Sequence, residues 1–204
     1  MGSVVNLHPV FSAQELDQIE ACRRGDRYAL QAVFIAHAPY IERLLGRIVG
    51  SRLEVEDLLQ STFVAAIDAF PRFRAEAQVR TWLARIAVRT AQDRLRSAAV
   101  RRRGTLPDLE ESPDPQPALD GDANLELQRR VRRLHEHLAA IAPKKRVAFV
   151  LHVFEGMPIE EVAALTGASV TATKSRVFWA RRELLRRARR DPLLRELVAE
   201  EERS

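Results

Sequence analysis

The side chains best equipped for chemistry in this chain are arginines, and they fall in two crowds. Arg94, Arg96, Arg101, Arg102 and Arg103 occupy one short stretch. Lys174, Arg176, Arg181, Arg182, Arg186, Arg187, Arg189 and Arg190 occupy a second. Between them, residues 104–125 carry Asp108, Glu110, Glu111, Asp114, Asp120 and Asp122 without one Lys or Arg. The formal charge of +5 says little by itself, since many soluble proteins are mildly basic. Two cationic modules around an acidic spacer say more, and their natural ligand is a polyanion. Solvated arginine-rich helix faces would explain either crowd alone, but explain the pair less well.

Residues for bond-making chemistry are missing from the pattern. There is no Gly-rich phosphate loop, no zinc-ligand spacing and no credible Ser/His/Asp or Cys/His set. Glu110-Glu111 and Glu160-Glu161 are adjacent acids in a spacer and at a helix start, not a facing carboxylate pair. His135 and His137 lie two apart on one helix, so they point to different faces and make a poor ligand pair; both are expected at the surface. The single Cys22 allows no internal disulfide. The sequence therefore predicts a binding protein rather than an enzyme, with no cofactor and no metal.

The elements that position the charges are helices. Eight glycines in 204 residues, an abundance of Ala, Leu, Arg and Glu, and few β-branched or aromatic runs predict an all-α fold. Residues 14–22 read as a short helix that stops at Gly25-Asp26. Residues 27–49 follow, with Ala32, Phe34 or Ile35, Ile41, Leu44, Leu45 and Ile48 as the apolar positions and Pro39 as a kink point. Val55, Leu58, Leu59, Phe63, Ala66, Ile67 and Phe70 then recur on one helical face, with Glu54, Glu56 and Asp57 suited to the dipole of the first turn. Pro71 ends that helix. Residues 72–78 read as a loop, and a further helix begins near Val79 and runs through Trp82, Leu83, Ile86, Ala87, Ala91 and Leu95.

Residues 104–125 contain Pro107, Pro113, Pro115 and Pro117 and no helical period, so they read as a disordered linker. Helices resume at residue 125. Pro143 suits the first position of a helix that ends near Glu155-Gly156. A short helix after Pro158 carries Ile159, Val162, Ala163 and Leu165, and Thr166-Gly167-Ala168 forms a turn. Ser169 can cap a helix running to Arg190. That pair has the parts of a helix-turn-helix: small Ala163 for a close crossing, Gly167 for the turn, and a second helix apolar along Val170, Thr173, Val177, Ala180 and Leu184. Away from that stripe, Ser169, Ala172, Ser175 and Arg176, with Lys174 and Thr171 flanking it, are offered to a major groove, which admits one helix. An ordinary helical hairpin is the plainer reading.

These segments resemble a known family. Residues 161–167, Lys174-Ser175-Arg176-Val177 and Ala180-Arg181 are similar to region 4 of the extracytoplasmic-function group of sigma factors. Residues 56–63 resemble its region 2.2. Phe73-Arg74, residues 80–87 and Asp93-Arg94-Leu95-Arg96 resemble regions 2.3 and 2.4. The likeness spans residues 14–190 in family order. It implies a tail at 1–13, region 2 over 14–103, the acidic linker at 104–125, region 4 over 126–190 and a short acidic tail at 191–204. Such a chain is a non-enzymatic alternative sigma factor that brings core RNA polymerase to promoter DNA.

The resemblance also implies site residues. Asp57, Leu58 and Gln60 would meet the polymerase clamp, with Phe63 in the core. Phe73, Arg74, Arg80, Trp82, Arg89, Arg94 and Arg96 would serve the −10 element, Trp82 either stacking near the melted step or anchoring the core. Ser169, Thr171, Ala172, Lys174, Ser175 and Arg176 would serve the −35 element, and the preceding helices would sit on the polymerase flap. An anti-sigma factor is an expected partner. The chain departs from the family's habits at Ser61, Ala75-Glu76-Ala77, Arg89, residues 171–173 and Trp179, which bears on promoter choice.

No apolar stretch nears the ~20 residues of a membrane span, and the polar start does not read as a secretory signal, so a cytoplasmic location is expected. A helix-turn-helix regulator with a sensing or dimerising N-terminal half is the competing class; it leaves the region 2 sequences as coincidence. A structural protein that coats DNA is another, and would show salt dependence without sequence preference.

Overall fold

Ser12 and Asp26 begin the first two helices by supplying what a helix start lacks. Helix α1 (Ala13–Arg23) opens on a reciprocal cap: the Glu15 amide donates to Ser12 Oγ at 3.2 Å, and the Ser12 amide donates to Glu15 Oε2 at 2.7 Å. Helix α2 (Arg27–Val49) opens on Asp26, whose Oδ1 accepts from the Tyr28 and Ala29 amides. It runs on through Pro39 and stops at Gly50, which takes a left-handed conformation. Ser51 caps α3 (Arg52–Ala69), and Pro71 tightens its end into a 3₁₀ turn at Phe70–Arg72. Helix α4 spans Val79–Gly104.

The computed structural model describes residues 11–104 and 122–201. Within them no strand is present. Helix α5 (Asp122–Ala139) starts three residues earlier than the sequence suggested, so residues 122–125 belong to a helix and not to the linker. Gly104 closes α4, and linker positions 105–121, with residues 1–10 of the expected tail at 1–13, lie outside the described residues. Pro143 opens α6 (Pro143–Phe149), which widens into a π turn at Val150–Phe154. Helices α7 (Ile159–Thr166) and α8 (Val170–Ala188) follow, and the C-terminal segment folds as α9 (Arg195–Glu201).

Two bundles form around their own apolar stripes. In the first, Ile41, Leu44, Leu45 and Ile48 of α2 meet Val55, Leu58 and Ala66 of α3 and Leu83, Ala87, Val88 and Ala91 of α4. The stripe differs from expectation in places. Ala32 is exposed and Ile67 also faces water, whereas Leu30 and Val33 are inside; of the two alternatives, Phe34 packs on the core and Ile35 is 65% exposed. In the second bundle Leu138, Ile141, Phe149, Ala180 and Leu184 join α5, α6 and α8.

The bundles do not stand apart. Val147, Ala148, Val150, Leu151, Val162 and Leu165 extend the first core, so α6 and α7 lie against α4. Polar groups close this seam. Arg146, 5% exposed, donates to the carbonyls of Ala139 (2.9 Å) and Ile48 (3.4 Å). Arg47 donates to the Phe154 carbonyl at 3.0 Å and pairs with the Glu155 carboxylate. Gly50 touches His135 so closely that a β-carbon there would come within 3.1 Å of the His135 side chain.

The two histidines expected at the surface are instead half-buried. His137 Nε2 lies 2.8 Å from Asp191 Oδ2, where Arg133 also donates at 3.0 Å. Asp191 is buried and its Oδ1 accepts from the Leu193 amide. Burial alone would raise its pKa; the Leu193 amide, His137 and Arg133 outweigh that and hold the carboxyl below its ordinary value. Leu194 and Val198 pack on Ala188, which fastens the C-terminal segment to α8.

Two outcomes follow from these observations. Ala75 sits at φ 55°, a left-handed conformation that costs a β-carbon about 1–2 kcal/mol; Ala75→Gly is expected to stabilise the chain by about 0.5–1 kcal/mol after glycine's own entropy cost, read as a rise in urea midpoint. His135 has its pKa depressed by burial and by Arg146, against a hydrogen bond to Val131 that acts the other way. The unfolded imidazole therefore takes its proton first, so stability is full above about pH 6.5 and declines as the pH falls toward the depressed value. His135→Gln should flatten that decline in urea melts between pH 7.5 and 5.5.

Candidate nucleic-acid interface

The loop leading into α4 is built on three rings. Phe70 and Trp82 lie 4.9 Å apart edge to face, Phe73 and Trp82 4.9 Å, and Phe70 and Phe73 5.6 Å. Phe73 is 5% exposed, so its ring is core rather than a ligand contact; this corrects its expected place in a −10 site. Trp82 is half-buried in the same cluster. The guanidinium of Arg23 donates to the Phe73 carbonyl, with Nε at 2.9 Å, and ties the loop to α1.

Cations remain on the solvent side of this frame. Arg74, Arg80, Arg89, Arg94 and Arg96 are all exposed. Arg94 approaches Glu54 at 3.4 Å and Arg96 pairs with Asp93 at 2.8 Å, both near the surface where such pairs are worth little and can be exchanged for phosphate. Arg80 stacks on Tyr40, its guanidinium 3.8 Å from the ring centre. Both line a polar cleft of about 500 Å³ at the seam, with His37, Glu155 and Glu161. The first turns of α4 are thus covered in part by the second bundle.

On α3, Asp57 and Gln60 are exposed, but Leu58 is 4% exposed and packs in the core. Leu58 therefore supports the face without belonging to it, another correction. Phe63 is half-buried and stacks on Phe34 at 4.5 Å, as its core reading requires.

The helix-turn-helix takes the form its sequence demands. Ala163 and Val162 are buried; Gly167 ends α7 at φ 62°, and the Ala168 amide closes the turn on the Ala163 carbonyl at 2.9 Å. Ser169 Oγ accepts from the Ala172 amide at 3.2 Å, and Thr173 Oγ1 donates to the Ser169 carbonyl at 3.0 Å. Thr173, Ala180 and Leu184 face inward. Thr171, Lys174 and Ser175 face water, while Ala172 and Arg176 are half-buried beside them. Ser169 is exposed with its hydroxyl committed to the cap. The structure thus gathers these six residues on the first two turns of one helix.

Sequence reasoning missed the seam residues Arg47, Arg146 and Glu155 and the Asp191 clasp. It also gave no role to Phe178, which is exposed on α8 next to Trp179. Periodicity had a signal for the last: position 178 falls outside the buried stripe.

Comparison with known proteins matches the geometry. Residues 33–101 match the model of sigma-70 region 2, and residues 131–184 match that of sigma-70 region 4. The RNA polymerase sigma-H factor of Pseudomonas aeruginosa is 31% identical over 90% of this chain and 98% of its own. The RNA polymerase sigma factor CarQ of Myxococcus xanthus is 33% identical over 78% and 88%. The ECF RNA polymerase sigma-E factor of Escherichia coli K12 is 30% identical over 83% and 93%. Among solved structures, CnrH in complex with the cytosolic domain of CnrY superposes with a TM-score of 0.56 at 25% identity, covering 82% of this chain and 92% of that one. The fold is shared with the sigma factor RpoE of Bartonella quintana, solved with the anti-sigma factor NepR, at a TM-score of 0.57 and 22% identity over 78% and 94%. With both regions present, in order, on an all-helical frame, the chain belongs to the sigma-70 family as an extracytoplasmic-function sigma factor, a subunit that joins RNA polymerase and directs it to promoters to begin transcription.

Proposed function

We propose that the two bundles work as separate heads on the polymerase, which must first be drawn apart at the seam. The observation that carries this reading is the covering of α4 by α6 and α7, while the outward face of α8 stays in water. A −10 and a −35 element two helical turns apart are separated by roughly 60–70 Å. Helices packed side by side lie about 8–10 Å apart, and α4 and α8 are separated by the single layer of α6 and α7. The packed arrangement therefore cannot serve both elements together.

In this reading Asp57 and Gln60 of α3 dock on the polymerase clamp, supported from beneath by Leu58. Arg74, Arg80, Arg89, Arg94 and Arg96 hold the −10 strand by its phosphates, on a loop stiffened by Phe73 and Trp82. Thr171, Ala172, Lys174, Ser175 and Arg176 enter the −35 groove, with Ser169 fixing the start of the helix. Region 2 occupies residues 14–103 and region 4 residues 126–190.

Energetics assign the polymerase a large share of the work. Opening about ten base pairs costs on the order of 10 kcal/mol at ~1.4 kcal/mol per stacked step. A module of this size holding one or two bases cannot supply that. A flexible chain of the 17 residues that separate α4 from α5 has a relaxed span of roughly 23 Å and stretches to about 60 Å, so bridging both elements unaided would hold it taut. Its acidic character also repels duplex and suits a basic channel. The chain carries out no catalysis and acts in the cytoplasm. The complexes described for CnrH and RpoE support an anti-sigma factor as a partner here too.

The deciding experiment is run-off transcription with purified core polymerase over genomic fragments. Defined transcripts are expected from core plus this chain, and none from either alone. Asp57→Arg should reduce core binding about tenfold or more. A chain that leaves core unbound, or tight sequence-selective DNA binding by the chain alone, would overturn the reading. Labels on α3 and α8 should report a distance that lengthens by tens of ångströms when core is added; an unchanged distance in an initiating complex would refute the opening.

A further inference from the structure

The outward side of α8 changes character along its length. Thr171, Ser175, Phe178 and Arg182 follow one another at helical spacing, and Ala172 and Trp179 run beside them. The first two turns are small and polar; the next turn is aromatic. Phe178 is 60% exposed and Trp179 47% exposed. Their rings meet edge to face at 5.3 Å, and the Arg182 guanidinium lies 5.4 Å from the Trp179 ring centre. Neither ring belongs to a hydrophobic cluster among the described residues. Lys174, Arg181, Arg182 and Arg186 surround them.

An apolar pair framed by cations fits a ligand with apolar knobs between anionic rims. The major groove of duplex DNA is such a ligand: thymine C5 methyl groups project into it, and phosphates line both sides. The rings also continue the face that carries Thr171 and Ser175, so a helix lying in the groove brings them to the same duplex.

Resting on the sigma-factor reading, we propose that Trp179, braced by Phe178 and Arg182, is a specificity-determining residue that packs on a thymine methyl group of the −35 duplex. Position 179 lies about 6 Å along the helix from Ser175, which places its thymine one or two base-pair steps from the base that Ser175 faces. Trp carries no charge, so its contribution is read in base preference and not in salt dependence.

The test uses holoenzyme reconstituted from core polymerase and the full chain, on a promoter found by run-off transcription. Each −35 thymine is replaced in turn by deoxyuridine, which removes the methyl group alone. One thymine, or two adjacent ones, should lose about 3–5-fold in affinity with the wild-type chain, as expected for one buried methyl. The same replacement should cost nothing with Trp179→Ala, and part of the loss should return with Trp179→Leu. Trp179→Arg should abolish the methyl dependence and steepen the salt dependence by about one phosphate contact. Thermal melts of Trp179→Ala, matching those of the wild type, separate this effect from misfolding. Deoxyuridine penalties unchanged in Trp179→Ala would overturn the proposal while leaving initiation, and hence the family function, intact. Loss of core affinity by Trp179→Ala without DNA would also overturn it, assigning the pair to the polymerase. A wild-type holoenzyme that initiates nowhere would remove the sigma-factor reading and this proposal with it.

Discussion

The seam between α4 and the pair α6–α7 constrains everything else in the molecule. It joins two helical bundles through Val147, Val150, Leu151, Val162 and Leu165, and it is sealed by Arg47 and Arg146 reaching main-chain carbonyls on the opposite side. A buried guanidinium is tolerated only where its donors find acceptors. Here two of the acceptors are carbonyls of Ile48 and Phe154, which lie close to the ends of their helices, where carbonyl oxygens lack intrahelical partners. The seam thus satisfies donors and acceptors that the separated bundles would have to return to water. Water can do that at little cost, but Val147, Val150, Leu151, Val162 and Leu165 would be exposed, so opening the joint calls for a larger partner that covers them.

On the proposed reading each bundle keeps apolar contacts of its own after that parting. Region 2 keeps its α2, α3 and α4 stripe and its ring cluster of Phe70, Phe73 and Trp82. Region 4 keeps Leu138, Ile141, Phe149, Ala180 and Leu184, and it is fastened by the Asp191 clasp to the segment beyond α8. The clasp explains why residues 191–201, which carry no readable motif, fold onto the bundle: a carboxylate held by Arg133, His137 and the Leu193 amide ties this segment to α5.

Much of the fold was legible because its signals are local. Pro71 ends α3, Gly167 makes the turn, Ser169 starts α8 and Pro143 starts α6, each through a constraint that acts within four residues. The family motifs likewise sit on contiguous helices. Long-range facts were not legible. Nothing near His137 announces a partner 54 residues away, and the apolar run that forms the seam looks like any buried helix. Motif resemblance also blurs a distinction that burial makes plainly. Leu58 and Phe73 lie in segments for which a binding role is proposed, but their side chains hold those segments from within. Ala32 and Ile67 erred the other way, because composition names apolar residues without saying which angle of the helix is covered.

The exposure of α8 has one more consequence. While the seam is shut, the duplex-reading helix already faces water, whereas the start of α4 is partly roofed over. On the proposed reading the molecule separates search from commitment: it can brush along intact double helix in its resting shape, but the grip on a parted strand becomes available only after another surface has taken the place of α6 and α7. Timing is thereby written into the architecture, with inspection first and irreversible steps withheld until the machinery to use them is assembled.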